Sequence, residues 1–304
     1  MADAVINTTT IAPFIPQIWA NEALEILRNN IVLAPLVTKD TDVAVFNVGD
    51  TLHIPYAGTL TANDKLQNKP VTKQAVNPTD TVVKLDKHKE VTILLEDYSK
   101  ALAQPLISQE YVKAQVIALA EQVETDLFSL YSSFSGSLGT AGTDMDAAVL
   151  RAANKKFTDN KVPRGNRHLI VSTKDSAALL GDDHLQNFFS YNAARGDITN
   201  GLIAQDIYGL QLHESQLVPS VAGTPTSTHN LALDPGAIIL ASRALPSAPV
   251  GSGVTQAVVS DPQSGITLRC TMAYDKDYLG VQTTFDVLYG VSKLRDEKGF
   301  VVLS

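Results

Sequence analysis

The chain has 304 residues, of which 44% are hydrophobic and 18% charged, and its formal net charge is −8 at pH 7. This length gives one large domain or two smaller ones with an ample core. The acidic balance argues against a basic nucleic-acid-binding face, although not against a container that holds DNA without gripping it, and the low charge content favours extensive protein–protein contact.

The cysteine content and the N-terminal sequence indicate the cellular compartment in which the chain folds. Cys270 is the only cysteine, which excludes an internal disulfide and a thiolate metal cage and suits folding in a reducing cytoplasm. The opening sequence MADAVINTTTIAPFIPQIW has neither the basic segment nor the apolar core of a signal peptide. No run of apolar residues reaches transmembrane length, so no membrane partner is predicted.

Residues 1–44 are predicted to form an N-terminal arm. Met1–Pro16 is polar, rich in threonine and interrupted by proline, which favours an extended segment. A short helix is predicted over Gln17–Asn29, and an irregular apolar stretch follows it. An arm this apolar needs a surface to lie on, either its own domain or a neighbouring subunit. Trp19 and Arg28 are its candidate contact residues.

Residues 45–90 are predicted to form a long hairpin. Apolar and polar residues alternate over 52–56 and again over 81–85, the period of two that is typical of strands. The segment Gly58–Pro78 between them is polar and has almost no apolar residue to bury. Loops of this length are uncommon in compact domains, and those that occur usually have a function. A two-stranded hairpin is marginally stable alone, so we expect it to lie against a neighbouring molecule. The candidate contact residues on this loop are Lys65, Lys69 and Lys73.

The run Lys84–Glu90 mixes both signs of charge at the predicted base of the hairpin. It is either a solvated strand end or a set of salt bridges to the next subunit. Exposed pairs contribute only about 0–1 kcal/mol each, so such bridges would set register rather than strength. The candidate residues are Lys87, Lys89 and Glu90.

The segment Leu106–Phe134 is predicted to be one helix, about 43 Å long at 1.5 Å per residue. Glu124 and other polar residues lie off its apolar stripe, and the Ser/Gly run through Gly136 ends it. Either a long core helix of an ordinary α/β enzyme or the spine of an elongated subunit fits this pattern. The stripe, with steps of three and four, runs through Val112, Val116, Leu119, Val123, Leu127, Leu130 and Phe134.

Residues 136–262 are predicted to form a mixed α/β domain of their own. An amphipathic helix is predicted over Asp144–Asn160, a short strand over His168–Val171, and then a helix that Ser172 or Thr173 caps.

Residues 263–304 are predicted to return to long strands. Strict alternation over Ile266–Tyr274 and again over Val281–Val291 suits antiparallel strands with one covered face. We expect them to pair with a strand over Val91–Leu95 and to flank the long helix, which makes 91–135 part of the same unit.

No catalytic signature is present. His213–Glu214 lacks the second histidine of a zinc-protease helix, and Gly251–Gly253 is neither a nucleophile elbow nor a dinucleotide fingerprint. Asp182–His184 has metal-ligand types, but a solvated turn or an interface is favoured. Cys270 alternates with apolar residues and is predicted to be a core residue. We predict no enzyme activity, no cofactor and no metal site.

The order of these segments resembles the major capsid protein of tailed double-stranded-DNA bacteriophages, the Hong Kong ninety-seven fold, over nearly the whole chain. The matching pieces are GDTLHIPYAG in the hairpin, VTILLEDYSKALAQPLISQEYVKAQVIALAEQVETDLF at the long helix, and HLIVSTKDSAALL with LALDPGAIILASRAL in the α/β domain. The resemblance implies an α+β fold with an N-arm (1–44), an E-loop (45–90), a peripheral P-domain (91–135 and 263–304) and an inserted axial A-domain (136–262).

The resemblance also implies a function. The chain would be a structural protein that assembles as pentamers and hexamers into an icosahedral or prolate shell around double-stranded DNA, without sequence-specific binding. Its partners would be a separate scaffolding protein, since the chain starts almost directly with the arm, a portal protein and a decoration protein. It would be found in the virion after assembly in the bacterial cytoplasm. Some relatives join subunits by a Lys–Asn bond, but no asparagine lies between Ile266 and Ser304, so no such cross-link is predicted.

Three alternatives stay open. An encapsulin-type compartment shares the fold but holds enzyme cargo. An α/β enzyme would use the inserted domain and would show a cluster of titratable residues in one pocket. A monomeric binding module is disfavoured by the long polar hairpin.

Overall fold

The computed structural model describes residues 23, 25–27, 31–40, 51–57, 60–68, 70–74, 78–97, 107–182, 207–249 and 252–304. Several of the predictions lie outside these residues: the arm Met1–Pro16, most of the helix Gln17–Asn29, and the residues Trp19, Arg28, Lys69, Asp183 and His184.

The described residues include three α-helices and fourteen β-strands. The helices are α1 (Ile107–Phe128), α2 (Ala147–Asp159) and α3 (Thr173–Gly181). The strands are β1 (Thr38–Asp40), β2 (Thr51–Ala57), β3 (Pro78–Lys84), β4 (Lys87–Glu96), β5 (Ser137–Gly139), β6 (His168–Val171), β7 (Gln211–Glu214), β8 (Ser220–Val221), β9 (Ser227–Leu233), β10 (Ile238–Arg243), β11 (Thr255–Ser260), β12 (Thr267–Asp275), β13 (Gly280–Lys293) and β14 (Gly299–Leu303). Short 3₁₀ turns lie at Ala34–Leu36, Ser129–Ser133, Pro235–Ala237 and Asp296–Lys298.

The first sheet is built on the long strand β13. Along one edge β13 pairs antiparallel with β4, from Gly280 opposite Glu96 to Tyr289 opposite Lys87. Along the other edge it pairs first with β12 and then with β10, and β11 and β1 extend these two strands outward. The alternating segments around 266–274 and 281–291 thus form the predicted long strands, and their pairing with the strand over 91–95 is confirmed.

Helix α1 covers one face of this sheet, as its apolar stripe predicts. Val116, Leu119 and Leu127 are fully buried and belong to one core with Phe285 and Val287 of β13. This core also contains Cys270, which confirms the prediction that the thiol is a core residue, and burial raises the pKa of Cys270 to about 12.

The helix is shorter than predicted. The α-helical hydrogen bonding ends at Phe128 and a tighter 3₁₀ turn replaces it over Ser129–Ser133, so α1 is about 33 Å long at 1.5 Å per residue. The hydroxyl of Ser129 donates to the carbonyl of Asp126 at 2.7 Å, and that of Ser132 to the carbonyl of Ser129 at 3.2 Å. Such local bonds compete with the helical pattern, which is why the serine run changes the geometry before Gly136.

The second sheet has the strand order β5-β14-β9-β6-β7, with β8 on β9. A second core, which includes Leu150, Phe157 and Phe300, joins it to α2. Helix α2 begins three residues after the predicted start at Asp144, because Asp146 is its N-cap and its carboxylate accepts from the N–H of Val149 at 2.9 Å. Helix α3 begins where the sequence predicts, with the hydroxyl of Ser172 as its cap.

Sheet membership differs from the predicted domain boundaries. Strands β10 and β11 fall within the predicted A-domain (136–262) but pair in the first sheet, whereas β14 falls within the predicted P-domain (263–304) but pairs with β9 and β5 in the second. A short, fully buried strand carries an apolar pattern that does not indicate its partner, so sequence periodicity alone cannot assign it to a sheet. The two sheets are therefore tied together by chain crossings at both β10 and β14.

Candidate assembly surfaces

The hairpin of β2 and β3 is the first candidate assembly surface. Its strands pair antiparallel from Thr51 opposite Lys84 to Ala57 opposite Pro78, which confirms the predicted strands. Every described residue of the loop, 60–68 and 70–74, is exposed. The loop closes on itself through Gln74, whose side-chain oxygen accepts the N–H of Thr61 at 3.0 Å.

The base of the hairpin packs on the first sheet. Val83 and Leu85 are buried against Ile239 and Ala241 of β10, with Leu52 and Ile54 packed beside them. β3 crosses β13 at Gly290, where a Cβ atom would lie 2.0 Å from the carbonyl oxygen of Lys84. The hairpin therefore has a fixed root and a solvent-exposed end.

The exposed loop carries apolar side chains that the sequence interpretation missed. Leu60, Leu66 and Val71 are 61, 58 and 64% exposed. Single exposed apolar residues are ordinary, but three on one loop with no internal partner suit an interface. Over 60–74 the loop has three lysines against one aspartate, so it is also basic. A count of apolar residues in the loop gave a low total, so these three residues were overlooked, although their positions on one polar loop could have indicated a contact surface.

A second exposed surface lies at the turn between β12 and β13. The side chains of Tyr274, Tyr278 and Leu279 are each more than half exposed. Asp97, at the end of β4, accepts a hydrogen bond from the hydroxyl of Tyr274 at 2.8 Å, and its N–H donates to the carbonyl of Leu279 at 2.9 Å. We call residues 96–97 and 274–279 the strand tip. It has four acidic residues against one lysine.

The charged run Lys84–Glu90 begins at the base of the hairpin, where β3 ends, and continues into the start of β4. Lys87, at a position predicted to contact the next subunit, forms a 3.0 Å ion pair with Asp126 of α1 within the same chain. Asp126 also accepts the hydroxyl of Tyr289 at 2.5 Å. Burial disfavours the charged form of Asp126, but the hydrogen bonds from Tyr289 and Lys87 outweigh it and lower the pKa of Asp126. The pair therefore ties β4, β13 and α1 together.

The other predicted contact residues occupy three settings. Lys65 and Lys73 are exposed on the loop. Lys89 is half-buried on β4 and helps lower the pKa of Asp126, and Glu90 accepts the hydroxyl of its neighbour Thr92. Contact with a neighbouring subunit stays a prediction for all of these residues.

A neighbouring charge cluster is likewise satisfied within the chain. Arg269 donates to both oxygens of the buried Asp286, from Nε at 3.0 Å and from Nη2 at 2.6 Å, and His88 lies 3.0 Å from the same carboxylate. This fork-to-fork geometry pins β12, β13 and β4 in register. Among the described residues no group of three or more His, Cys, Asp or Glu is arranged to hold a metal ion. No helix in the described part of the chain is long and apolar enough to cross a membrane.

Substitution of Lys87 by methionine is expected to act on the subunit and not on assembly. The Lys87–Asp126 pair is partly exposed, so we expect a loss of about 1 kcal/mol in the free energy of unfolding, measured by urea denaturation of the unassembled subunit. Lys65→Met on the exposed loop is the matched control and should leave the unfolding midpoint unchanged. Normal stability with defective assembly in Lys87→Met would instead assign Lys87 to a subunit contact.

Comparison with known proteins extends these observations. No protein-family model matches the sequence, and no curated protein matches it. Solved structures do match. A chain of Mycobacterium phage Che8 is 19% identical, with a TM-score of 0.65 and coverage of 90% of both chains. The capsid of cyanophage P-SCSP1u is 14% identical, with a TM-score of 0.63 over 90% of this chain and 87% of that one. The mature capsid of bacteriophage PhiM1 is 12% identical, with a TM-score of 0.61 over 90% and 86%.

The chain has a phage capsid fold. The predicted α+β class and the resemblance in segment order are thereby confirmed. The hairpin loop and the strand tip each combine exposed apolar side chains with an excess of one charge.

Proposed function

We propose that this chain is a major capsid protein that assembles into a closed shell around the double-stranded DNA genome of a tailed phage. The observation that carries the proposal is the match of about 90% of this chain to 86–90% of each of three phage chains with a similar fold. Because the likeness extends over about 90% of the chain, we expect assembly to depend on the whole subunit and not on one small site.

The proposed contact between copies joins the loop 60–74 to the strand tip. The loop is basic and the tip is acidic, and both carry large exposed apolar side chains. Neither surface covers the other within one chain, because both are exposed. Complementary charges steer such an encounter and fix its register, while burial of the apolar groups supplies most of its strength.

The role we propose is structural, without catalysis. The partly buried pairs Lys87–Asp126 and Arg269–Asp286 are satisfied within the chain, which supports a structural role for these charges. The acidic chain suits a wall that repels DNA at close range, so the genome would be enclosed without sequence-specific binding. Pentamers and hexamers, a separate scaffolding protein, a portal protein and a decoration protein complete this proposal, with assembly in the bacterial cytoplasm.

The test is assembly of the purified chain, followed by light scattering and negative-stain microscopy, alone and with a candidate scaffolding protein. Closed or aberrant shells, or rings of five and six subunits, are the expected result. Nuclease-protected DNA in shells from infected cells would support a genome container, whereas protein cargo would favour a compartment of the encapsulin type. A strict monomer under every condition would overturn the proposal.

A further inference from the structure

A buried carboxylate on α1 holds the first described segment of the chain. Glu124 is 1% exposed, although its sequence position lies off the predicted apolar stripe, so that prediction was wrong for this residue. One carboxylate oxygen accepts the N–H groups of Leu33 and Ala34 at 2.9 Å each, and the other accepts Leu33 at 3.0 Å. These are contacts between residues 90 or more positions apart.

The geometry is that of a helix cap supplied from a distance. The 3₁₀ turn Ala34–Leu36 begins at this point, and Leu33 at its N-cap position has no side chain that can accept the free N–H groups. Glu124 accepts these N–H groups instead. Its carboxylate therefore replaces the missing local cap.

Apolar packing surrounds this polar anchor. Ile31, Leu33 and Val37 are buried in the same core as the apolar stripe of α1. β1 follows directly and pairs parallel with β10. The anchor thus lies where the chain leaves the N-terminal arm and joins the first sheet.

Among the described residues, no positively charged side chain forms an ion pair with Glu124. Burial raises the pKa of Glu124 to about 7, and the backbone hydrogen bonds only partly offset this effect. On its own helix Glu121 is exposed, and Asp126 is paired with Lys87 and Tyr289. On the anchored segment Lys39 donates to the carbonyl of Gln263.

We propose that Glu124 is a proton-linked latch that fixes segment 31–37, and with it the start of the N-terminal arm, onto α1. The pKa of Glu124 is raised when segment 31–37 is latched and returns to its ordinary value when Glu124 is released into solvent. At a pH between these two pKa values, latching therefore takes up a proton. Latching is therefore strongest in acid and weakens as the pH rises towards 7. Between pH 8 and pH 5 the latching equilibrium is expected to change by about tenfold or more. The latch belongs to the single subunit and does not depend on shell formation.

The experiment is hydrogen exchange by mass spectrometry on peptides that cover residues 31–37 of the unassembled full chain, from pH 5 to pH 8, corrected for intrinsic exchange rates. In the wild type, protection of the Leu33 and Ala34 amides is expected to rise by about tenfold or more on acidification. Glu124→Gln, neutral at every pH, should remove this dependence. Glu121→Gln, one turn away and exposed, should keep the wild-type profile.

Two results overturn the proposal: a flat wild-type profile between pH 5 and pH 8, or an unchanged profile in Glu124→Gln. The wild-type profile decides the question if the variant fails to fold. The three buried or half-buried histidines whose pKa is shifted would act in the opposite direction. Burial lowers the pKa of His168 and His213, the latter to about 4, and that of His229. Stability that depends on them is complete above about pH 6.5 and is lost in acid, so acidification would reduce protection of β6 and β7.

Discussion

Removal of the exposed loop is expected to abolish shell assembly while the subunit still folds. Ala57 and Pro78 are the last paired residues of the hairpin, so residues 58–77 can be replaced by a two-residue Asn-Gly turn that suits this register. The root of the hairpin, with Val83 and Leu85 buried on the first sheet, stays intact. The variant should therefore keep its circular dichroism spectrum and its urea midpoint.

The size of the assembly defect follows from the side chains that the deletion removes. Leu60, Leu66 and Val71 are exposed in the free chain, and full burial of an aliphatic side chain contributes about 1.5–3 kcal/mol. Three such groups give about 5 kcal/mol per contact, repeated at every copy of a symmetric shell. A matched variant, with these three residues changed to serine and the loop length kept, should show most of the same defect. Wild-type-like shells from the deletion variant would remove the loop from the assembly mechanism.

Charge reversal tests which surface receives the loop. Lys65→Glu with Lys73→Glu should slow assembly, and Asp275→Lys with Asp277→Lys on the strand tip should do the same. Combined in one chain, the four substitutions should restore assembly in part, because the attraction is regained with its sign inverted. Failure of the combined variant to recover, beside folded single-surface variants, would point to a different receiving surface.

Sequence periodicity predicts which face of a helix or strand is buried, but it does not predict which residues far apart in the chain contact one another. The alternation at 281–291 and the stripe through Val116 and Leu127 depend only on which face of an element is covered, and both were predictable. Glu124 was not, because its burial depends on two N–H groups some 90 residues away. Lys87 was not either, because its partner Asp126 comes from another element.

The same limit explains the exchange of strands between the two sheets. β10 and β14 are short and buried on both faces, so their apolar runs fit any interior position. Their placement is settled by pairing with β13 and with β9, which are far away in sequence. The loop and strand-tip surfaces were missed in part because a leucine or tyrosine is normally expected to be buried. Its exposure can be recognised only when the packing of the rest of the chain is known.

Substitution of Gly290 by alanine is expected to have the largest effect of any single methyl group in the first sheet. The added Cβ would lie 2.0 Å from the carbonyl oxygen and 2.8 Å from the carbonyl carbon of Lys84. Both are backbone atoms, so no rotamer change relieves the clash. β3 must instead lift off β13 by roughly an ångström to reach ordinary contact distance, and overpacking of this kind costs about 1–3 kcal/mol.

The position of Gly290 converts this local clash into an assembly defect. The hairpin crosses β13 at Lys84, and its paired strands extend six residues from there to Pro78, about 20 Å at 3.3 Å per residue. A small rotation at the root therefore moves the loop by several times the displacement at Gly290, away from the position where a neighbouring copy would meet it. We expect Gly290→Ala to lower the free energy of unfolding by about 2 kcal/mol and to give irregular or open shells by microscopy. Gly181→Ala, at a site with no atom within 4 Å of the new Cβ, is the matched control and should assemble normally. Regular shells and an unchanged urea midpoint in Gly290→Ala would show that the hairpin does not cross β13 at this residue.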